Sequence, residues 1–425
     1  MMKRFEEMKL VIAPIVFWLV LGIGCSEASS GQRGAATTGG PAPTTARACE
    51  AGARTRVPFR LIDNHIVVAV TVNGTTELNM ILDTGLGSPG VILFDHELAA
   101  RMDLKGTTRV QLGGGGTDRS SRYARVATGG RISVAGVEFT GQSILVLEES
   151  GVFGGSYADG IIGATLFGHV VEIDYERCVL NLSKALSGEP SEYGHRFDLR
   201  FTAGIPVVAA SVEMAAGREV PVELLVDTGA NAPLLLFTFS HERLRPAGPM
   251  AEGRERVLAE GLTGRMLGTL SRIPRLTLGP FVLDEVVAAL PDEATMGGAR
   301  QLGRHGMLGN EVLQRFTVVF DYPASRMFLK PNGQHARRFE YNTAGLVMHG
   351  GKAWYEVEDV LKGSPAEEQG VRAGDRIVAI NRRPIQEYRG DEISAIFTRR
   401  DTTIEVTIER QSERSRIVLA LRRVI

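Results

Sequence analysis

The chain contains an internal repeat. The segment LNMILDTGLGSPGVILF at 78–94 returns as VELLVDTGANAPLLLF at 222–237. Each copy is an apolar run closed by Asp-Thr-Gly, a short loop of small residues with a proline, and a second apolar run. Further on, DGIIGATLFGHVVEIDYERCVLNL (159–182) has a partner in HGMLGNEVLQRFTVVFDYPASRMFLKP (305–331). Gly163 lies 80 residues after Asp83, and Gly309 lies 82 after Asp227. Asp174 lies 91 after Asp83, and Asp321 lies 94 after Asp227. Landmarks that keep such spacing over a whole domain length mean two copies of one domain.

The repeat decides between two readings of the first loop. Gly85, Gly87 and Gly90 have the G-x-G-x-x-G spacing of a dinucleotide-binding turn. Such a turn needs its glycines for close approach to a pyrophosphate, and it opens a helix. The second copy, DTGANAPLL, keeps Asp-Thr-Gly and loses the later glycines. The next residues are VILF in one copy and LLLF in the other, and both read as strand. Asp103 would suit a ribose, but the intervening helix is missing. The nucleotide reading fails. Glycine is abundant, 50 of 425 residues, and aromatics are only 6%, which favours strands and turns over long helices.

Two copies of hydrophobic-hydrophobic-Asp-Thr-Gly, each followed about 80 residues later by hydrophobic-hydrophobic-Gly, resemble the aspartic proteases. The motifs here are MILDTG with IIG and LLVDTG with MLG. The resemblance covers about residues 55–333. The short halves look most like retropepsin-type domains fused in tandem. It implies a mainly β fold, with two retropepsin-like β-barrel halves, 55–190 and 191–333, forming one bilobal protease.

Metal-independent peptide hydrolysis needs an activated water and a proton donor for the leaving nitrogen. Two adjacent carboxyls supply both, because like charges so close share one proton. The resemblance makes Asp83 and Asp227 the catalytic pair. Gly85 and Gly229 lack a Cβ, so their N–H groups can face the carboxylates. The resemblance also implies that Thr84 and Thr228 bond across the interface, with IIG and MLG packed behind. Leu86 departs from the small or hydroxyl residue usual after Asp-Thr-Gly. Without a hydroxyl donor there, Asp83 is expected to be the more readily protonated member. A covering flap is expected in 110–126, VQLGGGGTDRSSRYARV, with Tyr123 as a cover.

The N-terminus points to export. A 15-residue apolar run, LVIAPIVFWLVLGIG, follows Lys3, Arg4 and Lys9. That suits a signal peptide and is short for a membrane span. Gly24-Cys25-Ser26 resembles a bacterial lipoprotein box in which Cys25 is lipidated. A plain secretory signal and a retained anchor are the alternatives. Residues 1–25 are read as signal peptide and 26–54 as a small, polar, Pro/Gly-rich tether. Cys49 lies in the tether, and Cys178 reads as a core residue of the strand CVLNL.

Other chemistries find no support. A net charge of −1 without a basic block argues against nucleic acid. The eight histidines form no H-E-x-x-H pair, and no G-x-S-x-G is present. No metal and no cofactor is expected.

After a polar linker at 331–342 comes VLKGSPAEEQGVRAGDRIVAINRRPI (360–385). Ser364 is a good N-cap, Pro365 a good first helical residue, and Gly370 a stop. DEISAIFTRR (391–400) has helical spacing; TIEVTIER and RIVLALRRV alternate as strands. Residues 343–425 resemble a PDZ domain. The resemblance implies that the loop of AGLVM (344–348), with Gly345, Leu346 and Val347, receives a peptide C-terminus. The peptide would add as a strand, with helix 391–400 as the other wall. A module that only packs on the protease is the alternative.

The expected function is an exported aspartic endopeptidase of the bacterial envelope, lipid-anchored or secreted, acting on proteins or peptides. The alternative is a non-catalytic envelope scaffold with a degenerate cleft.

Overall fold

The computed structural model describes residues 54–425, apart from 75–76, 103, 105–106, 112–122, 149–156, 216, 247–255, 262–263, 297–301, 351–352 and 389. The apolar N-terminal run, the tether, Cys25, Cys49 and the central part of the expected flap lie outside the described residues.

The first half is built of β1 (Thr55–Ile62), β2 (His65–Val72), β3 (Leu78–Leu82), β4 (Gly90–Leu93), β5 (Thr108–Gln111), β6 (Tyr123–Val134), β7 (Val137–Leu147), β8 (Gly160–Ile162), β9 (Val170–Asp174) and β10 (Val179–Ser183). The second half has β11 (His195–Asp198), β12 (Arg200–Thr202), β13 (Ile205–Ala215), β14 (Arg218–Asp227), β15 (Leu234–Leu236), β16 (Arg256–Gly261), β17 (Gly264–Leu278), β18 (Phe281–Pro291), β19 (Gly306–Gly309), β20 (Phe316–Asp321) and β21 (Arg326–Pro331). Helices are few and short. The only α-helices among the described residues of the halves are α1 (His96–Arg101) and α2 (Asn310–Leu313).

The two halves share one topology. Strand order β1-β2-β3-β8-β4-β7-β6-β5 in the first is matched by β12-β13-β14-β19-β15-β18-β17-β16 in the second. Extra pairings β2–β6 and β13–β17 close each sheet on itself. In each half the strand ending in Asp-Thr-Gly runs parallel to the strand carrying the second motif. Leu82 pairs with Ile162, and Asp227 with Gly309. The spacing of about 80 residues is thus the length of chain that leaves the first motif and returns beside it.

The halves are joined by the sheet β11-β21-β20-β9-β10-β1. At its centre β9 pairs antiparallel with β20, Ile173 with Val318 and Val171 with Phe320. Asp174 and Asp321 are repeat equivalents, so Glu172, which pairs with Val319, pairs with its own equivalent. A local two-fold therefore passes through this sheet. Phe316, Phe320, Val318 and Ile173 are fully buried around it, in one apolar core continuous through both halves.

Cys178 differs from its expected place. It occupies the turn before β10, at φ +52, and is half-buried against the core. The turn follows from the antiparallel pairing of β9 with β10, which needs a reversal there.

The C-terminal domain has a core of its own, drawn from residues between Ala344 and Leu421. Its strands are β22 (Leu346–Gly350), β23 (Tyr355–Val360), β24 (Arg376–Ile380), β25 (Arg383–Pro384), β26 (Thr402–Arg410) and β27 (Glu413–Leu421). Helix α3 (Pro365–Glu368) starts as its sequence requires. The Ser364 hydroxyl accepts from the Glu367 N–H at 3.2 Å. Helix α4 (Gly390–Phe397) buries Ile393, Ile396 and Phe397, one face at helical spacing.

The segment 332–342 is better held than its polar sequence suggests. The Arg315 guanidinium stacks 3.6 Å over the Phe339 ring and donates to the carbonyls of Gln334, Arg337 and Arg338. Phe339 is buried in the core of the halves. A charged side chain that satisfies three carbonyls and covers a ring turns a linker into a fixed strap.

Candidate active site

The two Asp-Thr-Gly loops meet at the two-fold. The Thr84 hydroxyl donates to the Val226 carbonyl at 2.7 Å and accepts from the Thr228 N–H at 3.0 Å. The Thr228 hydroxyl donates to the Leu82 carbonyl at 2.7 Å and accepts from the Thr84 N–H at 3.1 Å. Both threonines are buried, so all four bonds are shielded from water and each would be costly to leave unmade.

This lock places each glycine under the opposite carboxyl. A Cβ on Gly85 would meet the Asp227 carboxyl at 2.7 Å, and one on Gly229 would meet that of Asp83 at 2.5 Å. Only glycine lets the two loops come so close. The second motif has the same constraint. A Cβ on Gly163 would strike the Leu86 carbonyl at 2.4 Å, and one on Gly309 the Ala232 carbonyl at 1.9 Å.

Asp83 and Asp227 are hydrogen-bonded to each other at the base of this arrangement. Asp227 accepts from the N–H groups of Gly229 at 2.8 Å and Ala230 at 3.2 Å. Asp83 accepts from the N–H groups of Gly85 and Leu86, the latter at 3.0 Å. The missing hydroxyl at Leu86 therefore costs Asp83 no backbone donor. The Leu86 side chain is buried among Ile81, Ile92 and Ile161 instead.

The carboxyls differ electrostatically. Burial and the adjacent charge of Asp227 push Asp83 well above the usual carboxylate range. Burial raises Asp227 too, but its bond to Asp83, the two N–H donors and the nearby His65 oppose the rise. Both carboxyls are thus raised by burial, Asp83 the more strongly, as suits a pair that shares one proton.

Several polar residues here carry no sequence signature. His65 opens β2 of the first half and reaches across the interface to the second. Its ring nitrogens are 2.9 Å from the Tyr157 hydroxyl and 3.0 Å from the Gly229 carbonyl. Asn64, in the β1–β2 turn at φ +61, donates to the Asn231 carbonyl at 3.0 Å and accepts from Gln314 at 3.1 Å. Fully buried Asn310 accepts from the Tyr175 hydroxyl at 2.5 Å. Tyr123, within the expected flap, opens β6. It is half-buried, with the Arg109 guanidinium 3.5 Å over its ring.

In the C-terminal domain β22 is an edge strand, paired only with β23 among the described residues. Gly345 takes φ +76 and lets the loop turn against Ser364. The N–H groups of Ala344, Gly345 and Leu346 all point at Asn342. Ala344 and Leu346 reach its side-chain oxygen at 3.1 and 3.3 Å, and Gly345 its carbonyl at 2.9 Å. Leu346 is buried and Val347 half-buried. The domain packs on the second half. Arg265 pairs with Glu358 at 3.2 Å, Arg256 with Asp359 at 3.8 Å, and Arg423 with Glu285 at 2.9 Å.

An aspartyl protease family model matches residues 68–166 and again 210–312, and a PDZ domain model matches 356–410. The chain is built from a duplicated aspartyl protease domain and a PDZ domain. Among solved structures, the aspartic proteinase from Irpex lacteus is similar over 67% of this chain and 99% of its own, at 15% identity and a TM-score of 0.41. The photosystem II D1 C-terminal processing protease is similar over 22% of this chain and 26% of its own, at 22% identity and a TM-score of 0.19. Both likenesses are too distant to bear on chemistry. No curated protein sequence matches the chain.

The raised carboxyls of the protease halves have a consequence for stability. The folded state holds a proton that the unfolded chain releases near pH 4. Stability from this pair is therefore fully present below about pH 4 and is lost as pH rises through the folded-state values. Asp83→Asn should be more stable than wild type at pH 7, by on the order of 1 kcal/mol, with the gap closing at pH 3.5. Urea denaturation at the two pH values measures this. A wild type that is the more stable at pH 7 would contradict it.

Proposed function

We propose that the chain is an exported aspartic endopeptidase in which Asp83 and Asp227 act as one unit on peptide bonds. The observation that supports this most is the hydrogen-bonded carboxyl pair, held by the reciprocal Thr84–Thr228 lock with Gly85 and Gly229 beneath it. Ionised Asp227 takes a proton from a water bound between the carboxyls, and the water attacks the peptide carbonyl. Protonated Asp83 donates to the carbonyl oxygen as negative charge builds there. The proton taken by Asp227 then goes to the nitrogen as the C–N bond breaks, and Asp83 recovers its proton from the hydroxyl that becomes the product carboxyl. Burial, which raises Asp83, favours keeping the shared proton there.

Asp83→Asn, Asp227→Asn and the double variant should each lose at least about a thousandfold in kcat/KM on an unfolded protein substrate. Residues acting as a unit are not additive, so the three losses should be similar. Circular dichroism would confirm that each remains folded. Substantial turnover in either single variant would remove the paired mechanism. A wild type that is folded and inert on every substrate would favour the scaffold reading.

The PDZ domain is proposed to take peptide C-termini beside β22. The Asn342 oxygens hold the loop N–H groups that a carboxylate would use, so a ligand must displace them. Asn342→Ala in the full chain should tighten binding of a free-carboxylate peptide about tenfold by fluorescence anisotropy, with amidated peptides unaffected. Equal binding of free and amidated peptides would show the loop to be misassigned.

Export is supported by the apolar run and the Gly24-Cys25-Ser26 box, with Cys25 lipidated. Labelled palmitate should enter wild type and be lost in Cys25→Ala. Equal labelling of the two, or none in wild type, rejects lipidation.

A further inference from the structure

We propose that His65 is a positioning residue of the carboxyl pair, anchoring the Gly229 peptide whose N–H holds the Asp227 carboxyl. The inference rests on the peptidase reading for its catalytic meaning but not for its geometry. A carbonyl only accepts, so the His65 ring must donate from Nε2 to the Gly229 oxygen at 3.0 Å. That fixes the tautomer, and Nδ1 accepts from the Tyr157 hydroxyl at 2.9 Å. The same Gly229 peptide presents its N–H to Asp227 at 2.8 Å. The imidazole thus anchors the peptide group that holds the carboxylate.

The repeat shows that this contact belongs to one half only. Val67 and Val68 pair with Ile81 and Met80, as Val207 and Val208 pair with Leu225 and Leu224. His65 therefore corresponds to Ile205, which is buried in an apolar cluster and has no group to offer the Gly85 carbonyl. Near the two-fold, His65 is a substitution that acts on Asp227 alone.

His65→Leu and His65→Gln test this, since leucine has no donor for the Gly229 carbonyl and an amide keeps one. The Asp227 carboxyl would be followed by 13C NMR in aspartate-labelled protein, assigned with Asp227→Asn. It should titrate about half a unit higher in His65→Leu than in wild type, because the N–H that holds the carboxylate is loosened, and stay near the wild-type value in His65→Gln. The acid limb of kcat/KM, which reports ionisation of the general base, should move in the same way. In His65→Leu kcat should fall about tenfold with little change in KM. An Asp227 titration that is identical in wild type and folded His65→Leu overturns the proposal. If the carboxyl shift is seen but wild type cleaves no substrate, the peptidase reading fails and the positioning role stands.

Discussion

The reciprocal bonds of Thr84 and Thr228 are the constraint on which the site depends. Each threonine gives its hydroxyl proton to a carbonyl of the opposite half and takes an N–H from the opposite threonine. Because both are buried, neither loop can withdraw without stranding polar groups away from water. The two carboxyls are then forced together, against their own repulsion, by bonds that do not involve them. Burial at this closed interface raises the proton affinity of both, and the Asp227 charge adds to the rise at Asp83. The carboxyl pair is held in place by bonds in which it takes no part.

Two-fold symmetry brings the carboxyls together, but chemistry needs them to differ. The β9–β20 pairing and the threonine lock are symmetric by residue equivalence. Difference enters only at the edges. His65 faces Ile205 across the repeat, and Leu86 faces Ala230. A single-chain duplication allows such changes to be made in one half alone, which two identical subunits could not do.

Much of this was legible in the sequence. The paired Asp-Thr-Gly triplets and the glycines Gly163 and Gly309 pointed to the repeat, the sheet partners and the carboxyl pair, because a short motif can encode a close backbone approach. Ser364, Pro365 and Gly370 likewise marked their helix through local chemistry. His65 and Tyr157 were not legible. They lie 18 residues before and 74 after Asp83, and only tertiary pairing brings them to Gly229. The role of Leu86 could not be read from its side chain, because its backbone N–H makes the bond. The strap at 332–342 read as a loose linker because its order comes from Arg315, which lies before it in the chain.

The PDZ domain adds a second asymmetry. By strand order, the β16–β17 hairpin of the second half is the equivalent of the β5–β6 hairpin that carries the expected flap. Arg256 and Arg265 tie that hairpin to Asp359 and Glu358 of β23, the strand that pairs with edge strand β22. Tyr355 of the same strand is near enough to Asp63 to feel its charge. The β16–β17 hairpin is therefore braced by the neighbouring domain, and its equivalent has no such partner among the described residues. Surface ion pairs of this kind are individually weak, on the order of 0–1 kcal/mol. The brace does not depend on them alone, because Arg315 and buried Phe339 fix the strap that delivers the PDZ domain to this face. The duplicated halves thus supply the symmetric pair, and residue differences in the β1–β2 turn together with the unrepeated PDZ domain make its two sides unequal.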